Sequence, residues 1–138
     1  MITGSNTTAR ITPAMEQGRQ TILLVDDEEI IIDVTGLMLK QIGVEVVTAH
    51  NGAEAIDLYQ THQTHIDLVI LDMVMPGMGG GDTYDRLKAI NPDVRVILSS
   101  GYSLDEEASA ILDRGCSDFI QKPFDLQSLS QKIQDVLA

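Results

Sequence analysis

Asp26-Asp27-Glu28 follows the apolar run TILLV, Asp72 follows DLVIL, Ser99-Ser100 follows VRVIL, and Lys122 follows SDFIQ and precedes Pro123. Each of these polar groups stands where a short apolar run stops, so neighbouring strands of one sheet could bring them together. Carboxylates that converge in a desolvated place repel one another and demand a cation. A hard divalent ion with oxygen ligands meets that demand, and Mg2+, for which Mn2+ can substitute, is usually held by one or two carboxylates together with a substrate phosphate. Beside such an ion and a lysine, a carboxylate can accept a phosphoryl group. Transfer through a loose transition state depends on positioning and on offsetting charge at the equatorial oxygens. Asp72 is the expected nucleophile, and the product is an acyl phosphate.

The elements that must position these groups are legible as strands at 21–25, 44–48, 67–71, 94–98 and 117–120, rich in Val, Ile and Leu. Near-continuous apolar runs of this length are expected of strands buried on both faces of a parallel sheet. Between them, helical spacing links Ile30, Val34, Leu37 and Met38, then Thr83, Leu87 and Ile90, then Leu104, Ala108, Ile111 and Leu112, and finally Leu126, Leu129, Ile133 and Val136. A weaker period over 52–62 puts Ala53, Ile56 and Tyr59 on one side. Asn51 with Glu54 and Ser103 with Glu106 have the spacing of capping boxes, Asp125 suits a cap, and Gly43 and Gly115 suit helix ends. The glycines at 77 and 79–81 suit a flexible loop entering the third helix, not a phosphate-binding loop. The resulting (βα)5 pattern predicts an α/β, doubly wound, five-stranded parallel sheet of order 2-1-3-4-5. Its site lies beyond the carboxyl ends of strands 1 and 3.

The chain has 138 residues, close to the ~150 of one domain. Nine Lys and Arg against 21 Asp and Glu leave a net charge of −12, which opposes direct nucleic-acid binding and attraction to an anionic membrane. No apolar run is long enough for membrane insertion, no signal sequence opens the chain, and Cys116 has no partner for a disulfide, so a reducing cytoplasm is the expected compartment. Residues 1–20 are polar, contain Gly and Pro, and read as a disordered tail or interdomain linker, with the folded domain over 21–138. His50, His62 and His65 lack a metal-binding spacing, the methionines around Pro76 suit loop packing, and Cys116 suits a small core residue.

Taken together, ILLVDDEE, LVILDMVMPGMGG, VILSSGY, GCSDFIQKPF and the (βα)5 order resemble the receiver domain of two-component response regulators, with its flavodoxin-like fold, from about Thr21 to Leu137. The resemblance implies a phosphorylation switch rather than an enzyme, one that assists only its own phosphorylation and dephosphorylation. It makes Asp72 the phospho-acceptor, Asp26 and Asp27 the acidic metal-binding pair, and the backbone carbonyl of Val74 a further metal ligand. Ser100 becomes the switch hydroxyl, preferred over Ser99 by its spacing to Lys122 and by Gly101, and Lys122 the lysine of the KPF motif, with a cis bond to Pro123. Phe119 takes the aromatic switch position.

The partners implied are a histidine kinase or histidine phosphotransfer domain as donor. An output partner or attached domain would meet the face of helix 4, strand 5 and helix 5, and a homodimer on phosphorylation is compatible with the family. The tail before Thr21 resembles the connector ahead of a C-terminal receiver in hybrid histidine kinases, and the parent chain would then be a histidine kinase. Val74 and Tyr102 offer no group to orient attacking water, so slow self-dephosphorylation is expected. Three rivals share the sheet: a degenerate receiver that binds protein without phosphate, an aspartyl-phosphate phosphatase, and a flavin module. The intact acid, hydroxyl and lysine set speaks against the first, the lack of a second acid after Asp72 against the second, and the two Phe, three Tyr and no Trp against the third.

Overall fold

A computed structural model describes residues 19–138, so the expected tail over 1–20 lies outside the described residues except for Arg19 and Gln20. The elements run β1 (Thr21–Val25), α1 (Glu29–Ile42), β2 (Glu45–Ala49), α2 (Gly52–His62), β3 (Leu68–Asp72), α3 (Gly80–Ile90), β4 (Val96–Ser100), α4 (Glu106–Asp113), β5 (Asp118–Gln121) and α5 (Leu126–Leu137). All strand pairs are parallel and the order is β2-β1-β3-β4-β5, as the alternating pattern predicts. Successive strand residues point to opposite faces, and two cores follow. Leu23, Val25, Val69, Leu71, Val96 and Leu98 pack under α2, α3 and α4, while Ile22, Leu24, Leu68, Ile70 and Ile97 pack under α1 and α5. Fully burying each such side chain contributes roughly 1.5–3 kcal/mol, and this two-sided burial explains why the strands read as unbroken apolar runs.

The strands end later than the apolar runs do. β3 includes Asp72, registered against Ser99, and β4 extends through Ser100, registered against Gln121. Hydrophobicity reports burial, whereas the ladder pairs backbone groups and continues one or two residues further. The ladder bonds go on past the strand ends, from Met73 N–H to Ser99 O at 2.8 Å and from Lys122 N–H to Ser100 O at 2.7 Å. The polar groups at the strand ends are therefore held by the sheet.

Three helix expectations need correction. In α1 the buried face is Ile32, Thr35 and Leu39, not Ile30, Val34 and Leu37, which are 66%, 45% and 65% exposed. Consecutive Ile30, Ile31 and Ile32 offer two apolar registers, and contact with the sheet selects the one through Ile32. In α2 the buried residues are Gly52, Ala55 and Tyr59, and Ala53 is exposed. α4 starts at Glu106 with Asp105, not Ser103, as its cap, accepting from Ala108 N–H at 2.9 Å, and Leu104 is left exposed before the helix. That start still turns Ala108 and Ile111 inward and puts Glu106 and Glu107 in the first turn, where the helix dipole favours them.

Asn51 caps α2 by accepting from Glu54 N–H, and Asp125 caps α5 by accepting from Ser128 N–H, both as expected. Gly43, with φ 100°, ends α1 in the left-handed region. Gly80 is more than a flexible link: a Cβ there would come within 2.7 Å of Met73 Cα and 2.9 Å of Asp72 O. Its N–H donates to Met73 O at 2.8 Å, so the start of α3 is pressed against the backbone that carries Asp72.

Candidate functional site

The carboxyl ends of β1, β3 and β5 open onto a cleft of about 650 Å³ whose lining includes Asp27, Asp72 and Lys122. Asp26, Asp27 and Asp72 each place a carboxylate oxygen within 4.8 Å of the others, with Asp26 and Asp72 buried and Asp27 exposed. The Lys122 ammonium donates to Asp26 Oδ2 at 3.0 Å and to Asp72 Oδ1 at 3.3 Å. Position follows from topology: β1 and β3 are adjacent, and β5 delivers Lys122 one residue past Gln121, with the Lys122–Pro123 bond cis.

Local hydrogen bonds fix the acids. Asp26 N–H donates to Ala49 O at 3.1 Å, and Asp26 Oδ1 accepts from Glu28 N–H at 3.0 Å. The Asp72 carboxylate accepts from the Val74 backbone N–H. Burial, reinforced by the charge of Asp26 and opposed by Lys122, raises the Asp72 pKa to about 6. Burial alone would lower the Lys122 pKa, but hydrogen bonding to Asp26 and the charges of Asp72 and Asp26 outweigh it, and the ammonium titrates above its usual range. Three convergent carboxylates against one lysine leave the cluster negative. Its hard oxygen donors suit Mg2+ or Mn2+, so the residues present fit such an ion.

The other expected residues are distributed around this cluster. Ser99 and Ser100 are both buried at the end of β4, and Ser100 Oγ accepts from Tyr102 N–H at 3.0 Å, which ties that hydroxyl to the cleft rim. Val74 lines the cleft and is 60% exposed. Phe119 is not in the cleft: on β5 it lies opposite Leu98 and packs, partly buried, against the core beneath α4. Ile31 and Pro123 also line the cleft. Ile31 escaped notice because its residue type signals no chemistry, whereas Pro123 was singled out only for its bond to Lys122 and not as part of the lining.

Of the residues set aside in the sequence, Cys116 is the small core residue expected. Cys116 is buried, its thiol donates to Val96 O at 3.2 Å, and burial pushes its pKa up to about 11, far from a reactive thiolate. The His50 ring lies between Glu29 at 3.0 Å and Glu54 at 3.4 Å, linking α1 to α2. Among the described residues no helix is long and apolar enough to cross a membrane.

Comparison with known proteins covers the folded part of the chain. A family model described as the response regulator receiver domain matches residues 22–134. Among curated proteins, a cyclic di-GMP phosphodiesterase of Thermotoga maritima is 33% identical over 117 residues, which are 85% of this chain and 31% of that protein. The sensor kinase/phosphatase LuxN of Vibrio campbellii is 30% identical over 87% of this chain and 14% of its own length. The chain thus spans under a third of either relative. Among solved structures, a receiver domain protein from Clostridium thermocellum superposes with a TM-score of 0.82 at 31% identity, covering 86% of this chain and 94% of that one. A CheX–CheY–BeF3–Mg2+ complex from Borrelia burgdorferi gives 0.84 at 28% identity, covering 90% and 94%. A two-component receiver is a phosphoryl-accepting signalling switch that works with histidine kinases or phosphotransfer proteins and with output domains, and by fold, acid cluster and family match together this chain belongs to the response regulator receiver domain family.

Proposed function

We propose that Asp72 is the phosphoryl acceptor of this receiver, with the donor a phosphohistidine on a histidine kinase or phosphotransfer domain and with Mg2+ held by Asp26, Asp27, Asp72 and the Val74 carbonyl. The observation that carries this reading is the Lys122 ammonium bridging Asp26 and Asp72 beside three convergent carboxylates. When bound, the divalent ion supplies charge that offsets the phosphoryl oxygens. A carboxylate oxygen of Asp72 attacks phosphorus while Lys122, already aimed at Asp72, takes up charge on an equatorial oxygen. The chain incubated with a small phosphoryl donor and Mg2+ gains one phosphoryl group, labile to hydroxylamine as an acyl phosphate is, and no gain in mass overturns the reading.

Ser100 carries the signal outward. Its oxygen accepts from Tyr102 N–H, and its hydroxyl proton is still available for a phosphoryl oxygen, so a shift of Ser100 pulls on the loop before α4. Phe119, packed against the core beneath α4, follows that loop, and the face of α4, β5 and α5 is the output surface. A reducing cytoplasm suits the single buried thiol.

The corrected face of α1 supplies a docking surface for the donor. Ile30, Val34 and Leu37 are spaced by four and three residues, the seam that a second helix packs against, and all three are exposed. The helix starts beside the acid pair and its Ile31 lines the cleft, so a donor helix on this seam stands next to Asp72. Leu37→Glu is expected to lower kcat/KM for transfer from a phosphohistidine protein by about tenfold or more, with labelling by a small donor retained. Equal losses for both donors would place the effect in folding.

Phosphoryl lifetime depends on what can hold a water in line. Val74, 60% exposed at the rim, has no polar side-chain atom. Val74→Asn places a carboxamide there and is expected to speed loss of the phosphoryl group roughly ten- to a hundredfold, followed as the labelled fraction after donor removal. An unchanged decay rate counts against the rim as the determinant.

A further inference from the structure

Two hydrogen-bonding groups are left over near the end of β4. Ser99 is 3% exposed, and its hydroxyl makes no hydrogen bond among the described residues, whereas the neighbouring Ser100 Oγ accepts from Tyr102 N–H. Buried hydroxyls are rarely without a partner, and an exception calls for one in another state of the site. The Lys122 ammonium has three N–H donors, of which one goes to Asp26 and one to Asp72. The third has no partner among the described residues. The sheet puts both groups on one side. Side chains alternate along a strand, so Asp72 shares a face with Leu68 and Ile70, and Ser99 with Ile97. Lys122, carried on by its ladder bond to Ser100 O, shares that face with Ile120. Ser99 is registered between Asp72 on β3 and Ile120 on β5. Because β4 stands between β3 and β5, the Lys122 side chain crosses the end of β4, on the face that bears Ser99, to reach Asp72.

We propose that Ser99 is a positioning residue for Lys122: in the loaded site its hydroxyl oxygen accepts the third N–H of the ammonium and holds that charge beside the phosphoryl group. The inference rests on Asp72 being the acceptor. In the metal-free site the ammonium is drawn to Asp26 Oδ2 and Asp72 Oδ1. Those carboxylates are also the ligands of a divalent ion, so loading leaves Lys122 short of acceptors where its side chain is only 12% exposed. A neutral hydroxyl close by supplies an acceptor without adding a negative charge that would repel the phosphoryl oxygens. Lysine ends a flexible four-carbon stem, and a donor stabilises developing charge best when it is held in place beforehand. One such hydrogen bond is worth roughly three- to tenfold in rate.

The test is a double-mutant cycle on the intact chain, labelled with acetyl phosphate in saturating Mg2+. Ser99→Ala is expected to slow labelling roughly three- to tenfold, and Ser99→Thr, which keeps the hydroxyl, to restore most of the rate. In a Lys122→Met background Ser99→Ala should change the rate by less than about twofold, because the group it positions is gone. Melting of the metal-free chain is the second readout. Ser99→Ala should melt no lower than the wild type, since the hydroxyl it removes has no partner there. An unchanged rate in Ser99→Ala overturns the proposal, and so does a loss of the same size in Ser99→Thr or in the Lys122→Met background. A metal-free Ser99→Ala chain that melts well below the wild type overturns it too, by making the hydroxyl a support of the fold. A wild type that takes no label overturns the acceptor itself, an outcome distinct from every result at Ser99.

Discussion

Asp72→Asn is expected to abolish phosphoryl labelling and, in the metal-free chain, to raise thermal stability at neutral pH. Both follow from one cause. Asp72 is buried next to Asp26, and burial first and that neighbouring charge second lift its pKa to about 6. A carboxyl whose folded pKa exceeds its unfolded value contributes stability that is complete below the unfolded value, near 4, and lost as pH rises through the folded value. The advantage of Asn should therefore emerge between about pH 4 and pH 6 and level off above, at no more than about 3 kcal/mol. Mg2+ reverses the order, because the ion gains from a third carboxylate that Asn does not supply. Mass after donor treatment measures the loss of labelling, and melting curves across pH, with and without Mg2+, measure the change in stability. A variant that still takes up label would remove Asp72 as acceptor. One that loses label yet melts below the wild type at pH 8 without metal would place the loss in folding.

How much of this was legible in the sequence differs from element to element. Asp26, Asp27, Asp72 and Lys122 could be brought together before any coordinates, because a parallel (βα)5 order forces the ends of strands 1, 3 and 5 to one edge, and all four carry charges that make sense only in company. α1 was not legible. Its run Ile30-Ile31-Ile32 satisfies helical spacing in two registers, and only the sheet decides between them. The same ambiguity concealed the exposed seam, since a residue assigned to the core is not examined as surface. Strand ends slipped for a different reason: Ser99 and Ser100 are polar, and only the backbone ladder shows that they belong to β4. The role of Gly80 depends on a 2.7 Å approach between segments that no local pattern encodes. Phe119 marks the opposite limit, because its position on β5 and its packing are those of an ordinary core aromatic, and its part as a switch comes from resemblance.

Replacing Lys122 with Met separates what the lysine does for the fold from what it does for transfer. Its ammonium is the partner of two carboxylates that are almost wholly buried, at 3.0 and 3.3 Å. Removing one partner of such a group leaves uncompensated buried charge, at a cost of about 3–5 kcal/mol. The metal-free Lys122→Met chain should thus melt well below the wild type at pH 8. The deficit should shrink as pH falls, because Asp72, with its pKa driven further up once the ammonium is gone, takes a proton. Mg2+ should bind more tightly to the variant than to the wild type, since no ammonium competes for the Asp26 and Asp72 oxygens, and the rise in melting temperature on adding Mg2+ should be larger. Phosphoryl transfer should nevertheless slow by roughly a hundredfold or more, because a donor aimed at developing charge has been lost. Tighter metal binding with slower transfer is a combination that a purely structural lysine cannot produce, whereas normal transfer rates in a refolded, Mg2+-loaded variant would confine Lys122 to holding the apo site together.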